Sequence, residues 1–282
     1  EHQEGDYTYI AADLTNAYNP PNYDEGGWGG KVERVKRQLL YLPGEDRLFV
    51  RDRVRAIQAN FVKKWLLHTV EQPKLADAHV LKGRPDNGIL ESPGDFAQVQ
   101  NGRGWLTVQR ILPEDAVIRL VGGKDYQYYV EADGDDAQLD GINFVEGANL
   151  KPWFDIGMWR LEIQPGGLRQ EDEFLVVLTP ALNTPRSARV KPLSLDPGGS
   201  GVVTDSSVVV FVDESAGDEL RLTVPIATHK MRFIGLPPLA HATLQPPAEG
   251  IAPVLERTAS AGGVVVFSEL ERWRGRWTLR WW

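Results

Sequence analysis

Apolar and polar side chains alternate with a period of two along most of this chain. In RLFVRDRVRA (47–56), Leu48, Val50 and Val54 share one parity and Arg51, Arg53 and Arg55 the other. That alternation predicts a half-buried strand with one wet face. GWLTVQRIL (104–112), AVIRLVGG (116–123), YQYYVEA (126–132), MWRLEIQP (158–165) and EFLVVLTP (173–180) share the character, and Gly, Pro, Asn and Asp fill nearly every gap between them. No stretch keeps apolar residues at i, i+3, i+4 and i+7 over three turns, so no helix is predicted. Short strands separated by turn signals predict an all-β fold. The expected architecture is an antiparallel, supersandwich-like β-sandwich followed by a smaller C-terminal β-sandwich.

The boundary between the two is set by ALNTPRSARVKPLSLDPGGSG (181–201), which is rich in Pro and Gly and poor in large apolar residues. Beyond it SSVVVFVDES, DELRLTVPI, HKMRFIGL, GGVVVFSEL and RWTLRWW resume strand patterns. The expected division is a large sandwich over 1–182, a linker or irregular seam over 183–204 and a smaller sandwich over 205–282. EADGDDAQLDG (131–141) has the acid density of a calcium loop without its spacing, so it reads as a solvated turn.

Length and charge narrow the classes. The chain has 282 residues, enough for one large all-β domain or two ordinary ones. A net charge of −8 argues against a general nucleic-acid partner. The charge is uneven: residues 1–30 hold acids but no Lys or Arg, whereas 31–64 are strongly basic, a stretch that could attract an acidic ligand. With no cysteine there is no disulfide, thiolate metal site or Cys nucleophile. No apolar run approaches the roughly 18–20 residues of a membrane span. The chain starts without Met and without a signal-peptide core, so it reads as a processed or excised piece with an upstream part to be expected.

Self-sufficient catalytic motifs are missing: there is no G-x-S-x-G, H-E-x-x-H, Walker loop or dinucleotide fingerprint. The five histidines offer no i, i+2 or i, i+4 pair, so a metal site would draw on distant strands. His68, in FVKKWLLHTVEQP (61–73), reads either as a core histidine with one hydrogen bond or as a metal or substrate ligand. Asp13 shares the parity of Tyr7, Tyr9 and Ala11 at the end of a strand, where a buried carboxylate would need a partner. The Pro/Gly/Asn-rich loop after it carries Tyr18, Tyr23 and Trp28, aromatic residues on irregular chain beside an acid. Arg34, Lys36 and Arg37 are either a solvated strand face or carboxylate contacts, for which the guanidinium fork is suited. In RWRGRWTLRWW at the C-terminus, Trp273, Trp277 and Leu279 share a parity, the mark of a core strand more than of a carbohydrate platform.

YIAADLTNAY, the Arg-containing strand 34–42, FVRDRV, KKWLLHTVEQP, LTVQRILPEDAVIRLVGG and WRLEIQPGGLRQEDEFLVVL, in that order, resemble the C-terminal region of the heparinase II/III-like polysaccharide lyases, a family that includes exolytic alginate lyases. The resemblance covers most of 1–182 and, more loosely, 205–282. It implies the sandwich half of an enzyme whose other half is an N-terminal (α/α) toroid, and a periplasmic or secreted location. The reaction it implies is β-elimination on uronic-acid glycans such as alginate or heparan-type chains. Tyr23, with Tyr18 as second choice, would be the sandwich's catalytic tyrosine. Trp28, Arg34 and Arg37 would line the path of an acidic polysaccharide or oligosaccharide. A structural zinc ion would be held by His2, Asp13 and His68. Without the toroid such a piece would be weakly active or inactive. The alternative is a non-catalytic glycan-binding or scaffold module on the same sandwich.

Overall fold

The computed structural model describes residues 2–19, 30–131, 141–144, 157–186, 189–225, 229–246, 253–268 and 275–282, and only the backbone of 2–4. The chain divides into two compact units, Asp6–Arg186 and Ser187–Trp282 with Glu1–Gly5. After β1 (His2–Glu4), the larger unit runs through β2 (Tyr7–Asp13), a one-turn helix α1 (Thr15–Tyr18), β3 (Val32–Leu42), β4 (Arg47–Ala56), β5 (Trp65–Thr69), β6 (Lys74–Leu75), β7 (His79–Arg84) and β8 (Asn87–Ser92). It continues with β9 (Phe96–Asn101), β10 (Gly104–Leu112), β11 (Val117–Gly122), the ribbon β12 (Tyr129–Val130) and β13 (Ile142–Asn143), β14 (Trp159–Gln164) and β15 (Glu171–Leu182).

Two antiparallel sheets result, one in the order β2-β3-β4-β15-β10-β9-β6 and the other β5-β14-β11-β8-β7. The alternation of the sequence decides what lies between them. Val50, Val108, Phe174 and Val176 of the first sheet meet Trp65, Ile118, Leu120, Leu161 and Ile163 of the second in one buried cluster. Each large side chain so buried stabilises the unit by roughly 1.5–3 kcal/mol.

The smaller unit is a second sandwich. Its strands are β16 (Lys191–Pro192), β17 (Ser194–Leu195), β18 (Gly199–Val203), β19 (Ser207–Val212), β20 (Glu219–Val224), β21 (Lys230–Ile234), β22 (His241–Gln245), β23 (Leu255–Thr258), β24 (Val264–Ser268) and β25 (Gly275–Trp281). The sheets β16-β18-β19-β21-β24 and β17-β20-β25-β22-β23 bury Val208, Val210, Phe233 and Phe267 against Leu222, Leu244, Trp277 and Leu279. Trp277 and Leu279 are therefore core residues, while Trp273 lies outside the described residues.

Four particulars differ from the pattern-based expectation. Arg51 is not on a wet face: it is 1% exposed, with Nε donating to Glu173 Oε1 at 2.7 Å and Nη1 to Gln38 Oε1 at 3.1 Å. Polarity alternation marks the face of a strand, and a charge with partners on both neighbouring strands can be buried there. The Gly/Pro-rich stretch 183–204 contains three strands. A Cβ on Gly199 would sit 2.6 Å from the Phe211 carbonyl oxygen, so glycine there lets β18 lie close on β19. One pair, β19 with β21, is parallel. Finally, Thr15–Tyr18 is helical, but one turn is too short to show a 3.6-residue period. Among the described residues, no helix is long and apolar enough to cross a membrane.

Candidate functional site

Tyr18 is placed by two polar side chains of its own turn. Asp13 Oδ1 accepts from the Thr15 N–H at 2.9 Å, opening the turn at the end of β2. Thr15 Oγ1 accepts from Val35 N at 3.0 Å, and Leu14 N donates to Val35 O at 2.8 Å. Asn19 then bridges to β3: Nδ2 donates to Val32 O at 2.7 Å, and Oδ1 accepts from Lys31 N at 2.8 Å and Val32 N at 3.2 Å. Gly30, with φ of 82°, lets the chain pass Asn19, since a Cβ there would come within 3.1 Å of Oδ1. The helical turn is thus fastened to β3 at both ends, with the Tyr18 side chain 50% exposed.

Tyr18 stands at the mouth of a cleft of about 440 Å³ at one end of the larger sandwich, within the usual range for small-ligand sites. Val35, Val54 and Phe174 form its apolar floor, and Phe61 and Lys63 its side wall. That wall is held in place: Lys63 Nζ, almost fully buried, lies 3.1 Å from Asp172 Oδ2 and also donates to the carbonyls of Phe61 and Arg169. Lys31 and Lys64 complete the rim.

Arg37 lies next to this cleft on the inward face of β3, paired with Asp52 of β4. Nε donates to Asp52 Oδ1 at 2.7 Å and Nη2 to Oδ2 at 2.6 Å, a two-pronged charge-assisted pair. The hydrogen bonds to Asp52 raise the guanidinium's pKa above its ordinary value against the opposing effect of burial, and the Tyr18 phenol is among the groups acting on it. Asp52 is 5% exposed and Arg37 41%, and Arg37 Nη1 keeps no hydrogen-bond partner among the described residues. The arrangement is a fixed cation, with the N–H groups of Nη1 open, near a phenol and next to an apolar cleft.

The other expected site residues are distributed differently. Arg34 has the opposite parity to Arg37 and lies on the other face of β3, with Lys36 and Asp13, so the two arginines do not line one path. Tyr23 and Trp28 lie outside the described residues, as does the His2 side chain. Asp13 is exposed on the outward face of the first sheet, its pKa lowered by hydrogen bonds from Thr15 and by Arg34 and Lys36. His68 is on the outward face of the second sheet, opposite Arg160, and burial and that cation hold it below its ordinary pKa. Asp13 and His68 thus lie on faces of different sheets that both point away from the shared core, and the described residues do not bring the expected zinc ligands together. Among the described residues, no group of three His, Cys, Asp or Glu is placed to hold a metal ion. Two residues can share a strand-end position in the sequence and still face opposite ways, and parity within one strand does not relate two sheets.

What surrounds His68 is an ion network that parity within single strands did not bring together. Glu162 Oε1 accepts from Arg160 Nε at 2.7 Å, and Oε2 lies 3.3 Å from Lys64 Nζ and 3.8 Å from Arg119 Nη1. Arg119 also grips Glu131 with two bonds of 2.9 and 2.8 Å. Glu131, at the start of the acidic stretch read as a solvated turn, is therefore anchored to β11. Burial opposes its ionisation, but the hydrogen bonds and charge of Arg119, aided by Lys64 and Arg160, bring its pKa below the usual value of 4.5.

A depressed carboxylate contributes stability that is present above about pH 4.5 and is lost as pH falls through the lower folded value. The denaturant midpoint of the intact protein should therefore drop more steeply on acidification than that of Glu131→Gln. Parallel curves for the two proteins between about pH 6 and pH 3 would contradict the pairing.

No family model and no curated protein matches the chain. Among solved structures, the crystal structure of heparinase III is similar to it with a TM-score of 0.40 and 9% identity, over 74% of this chain and 26% of that one. The chain thus spans about a quarter of that structure's length, and likeness at this level carries no argument about chemistry.

Proposed function

We propose that this chain is the β-sandwich part of a polysaccharide lyase that cleaves uronic-acid glycans, alginate or heparan-type, by β-elimination. The observation that carries this reading is the guanidinium of Arg37, held by Asp52 and close enough to feel the Tyr18 phenol, beside the cleft that Tyr18 lines. The ordered sequence resemblance supports it.

β-Elimination asks for three things: a base for the proton α to the carboxylate, donors that neutralise the carboxylate as charge moves onto it, and an acid for the departing glycosidic oxygen. Arg37 supplies a donor that is already oriented by Asp52, so little reorganisation accompanies substrate entry. Tyr18, within reach of the same carboxylate, transfers the proton, and the apolar floor formed by Val35, Val54 and Phe174 takes the less polar face of the sugar ring. The remaining acid–base groups belong to a toroid partner, so the chain by itself binds the glycan but turns it over slowly or not at all.

The test pairs titration of the chain with alginate and heparan-sulfate oligosaccharides and an absorbance assay for unsaturated uronate. Tyr18→Phe keeps the ring and removes the hydroxyl, so binding should stay within about threefold while any elimination falls by about 10²-fold or more. Elimination unchanged by Tyr18→Phe overturns the role given to this residue. Failure of the intact chain to bind either oligosaccharide overturns the reading as a whole.

A further inference from the structure

The far end of the larger sandwich carries an open groove of about 770 Å³ that the Tyr18 cleft does not use. Its lining includes Asp46, Asn101, Trp105, Leu182, Thr184 and Arg186. Trp105, half-buried at the start of β10, is held before any ligand arrives: its indole Nε1 donates to the Asn183 carbonyl at 3.2 Å. Asn183 adopts a left-handed backbone with φ of 65°, and its Oδ1 accepts from Arg103 Nε at 3.0 Å. Across the groove, Arg186 is fixed by Glu45 O at 2.6 Å and Asp46 Oδ2 at 2.8 Å, and Asp46 is also left-handed with φ of 46°. Asn and Asp are the side chains that enter this region at least cost after glycine, and here they set the two walls.

We propose that this groove is a second saccharide-binding site, which takes a pyranose ring by packing against Trp105 and by hydroxyl hydrogen bonds to Asn101, Thr184 and the Asp46–Arg186 pair. The chemistry favours a sugar over an anion. The one cation facing the groove from its far wall is already neutralised by Asp46, whereas the amide, the hydroxyl and the ion pair offer both donors and acceptors at the rim of an aromatic and aliphatic floor. A pinned indole loses little freedom on binding.

Phe174 of the cleft and Leu182 of the groove are the two ends of one stretch of β15, about 27 Å apart at about 3.4 Å per residue. A long glycan held at Trp105 would present its neighbouring residues to the Tyr18 cleft at raised local concentration. The groove itself does not depend on the lyase reading, because its ligand is bound through ring faces and hydroxyls and not through carboxylates.

Affinity electrophoresis of the 282-residue chain through gels containing alginate, its propylene glycol ester, heparan sulfate or a neutral β-glucan tests this. The intact protein should be retarded by alginate and, less strongly, by its ester. Trp105→Ala should weaken retardation about tenfold in both, Trp105→Phe should keep most of it, and Arg37→Ala should act on alginate but not on the ester. Asn101→Ala, at an exposed position whose loss leaves packing untouched, should weaken it by a few-fold, which separates a ligand contact from misfolding of the tryptophan variant. Retardation of Trp105→Ala equal to that of the intact protein, or no retardation in any gel, overturns the proposal.

Discussion

Glu162→Ala is expected to destabilise the larger unit by about 3–5 kcal/mol, the scale for removing one partner of a buried ion pair. Glu162 is 1% exposed, and three cations converge on it: Arg160, Lys64 and Arg119. Removing the carboxylate takes the nearest counter-charge from Arg160, while Arg119 retains Glu131 and Lys64 keeps the Glu131 carboxylate at 3.9 Å. The loss is therefore the desolvation of Arg160 left without its carboxylate, together with its hydrogen bond and the nearer of the two carboxylates beside Lys64. Glu162→Gln, which keeps the shape and one acceptor, should cost less than Glu162→Ala but still more than about 1 kcal/mol. Urea unfolding gives both values from midpoint and slope. A change below about 1 kcal/mol for Glu162→Ala would mean that water reaches this face and the network is a surface feature.

Trp277→Ala carries the second large effect, about 3–5 kcal/mol on the smaller unit. The side chain is 1% exposed on β25, between β20 and β22, and packs in the cluster with Leu222, Leu244 and Leu279. Nothing of that volume replaces it, so the cost is the lost transfer of the indole plus the cavity it leaves. Its Nε1 finds no hydrogen-bond partner among the described residues, so Trp277→Phe loses volume but also removes an unmet donor and should cost clearly less than Trp277→Ala. Thermal unfolding of the three proteins orders them. Equal destabilisation by Phe and Ala would show that the indole nitrogen is satisfied by solvent and the site less enclosed than described.

Trp277 and Glu162 show how far the sequence reading reached. Trp277 and Leu279 share a parity in a run bounded by turns, and period-two alternation is caused by the pleat itself, so their place in a core strand could be read from one segment. The same logic delivered most of the strands and the sandwich class. Glu162 is different: its partners come from the 57–64 loop, from β14 itself and from β11, and no single segment contains that meeting. Arg51 failed for a related reason, since its partners Gln38 and Glu173 sit on the strands at either side. Asp13 and His68 each lie at strand ends rich in aromatic residues, but which of two sheets a strand joins, and which way its face turns, is settled by pairings that span the chain. Tyr18 and Arg37 were legible as residue types in the right stretch. That Arg37 would be oriented by Asp52 was hidden, because Asp52 shares parity with Val50 and Val54 and so sits where a leucine was to be expected.

On the function proposed above, Arg37, oriented by Asp52 near Tyr18, receives the carboxylate of a uronic-acid sugar. Calorimetric titration of the chain with a short alginate oligosaccharide and with the same oligosaccharide esterified at its carboxylates addresses it directly. Esterification should weaken binding about tenfold, as Arg37→Ala also does, and Arg37→Ala should show no further loss with the ester. Equal affinity for the free and esterified sugars, or an Arg37→Ala protein that still tells them apart as the intact one does, would contradict it.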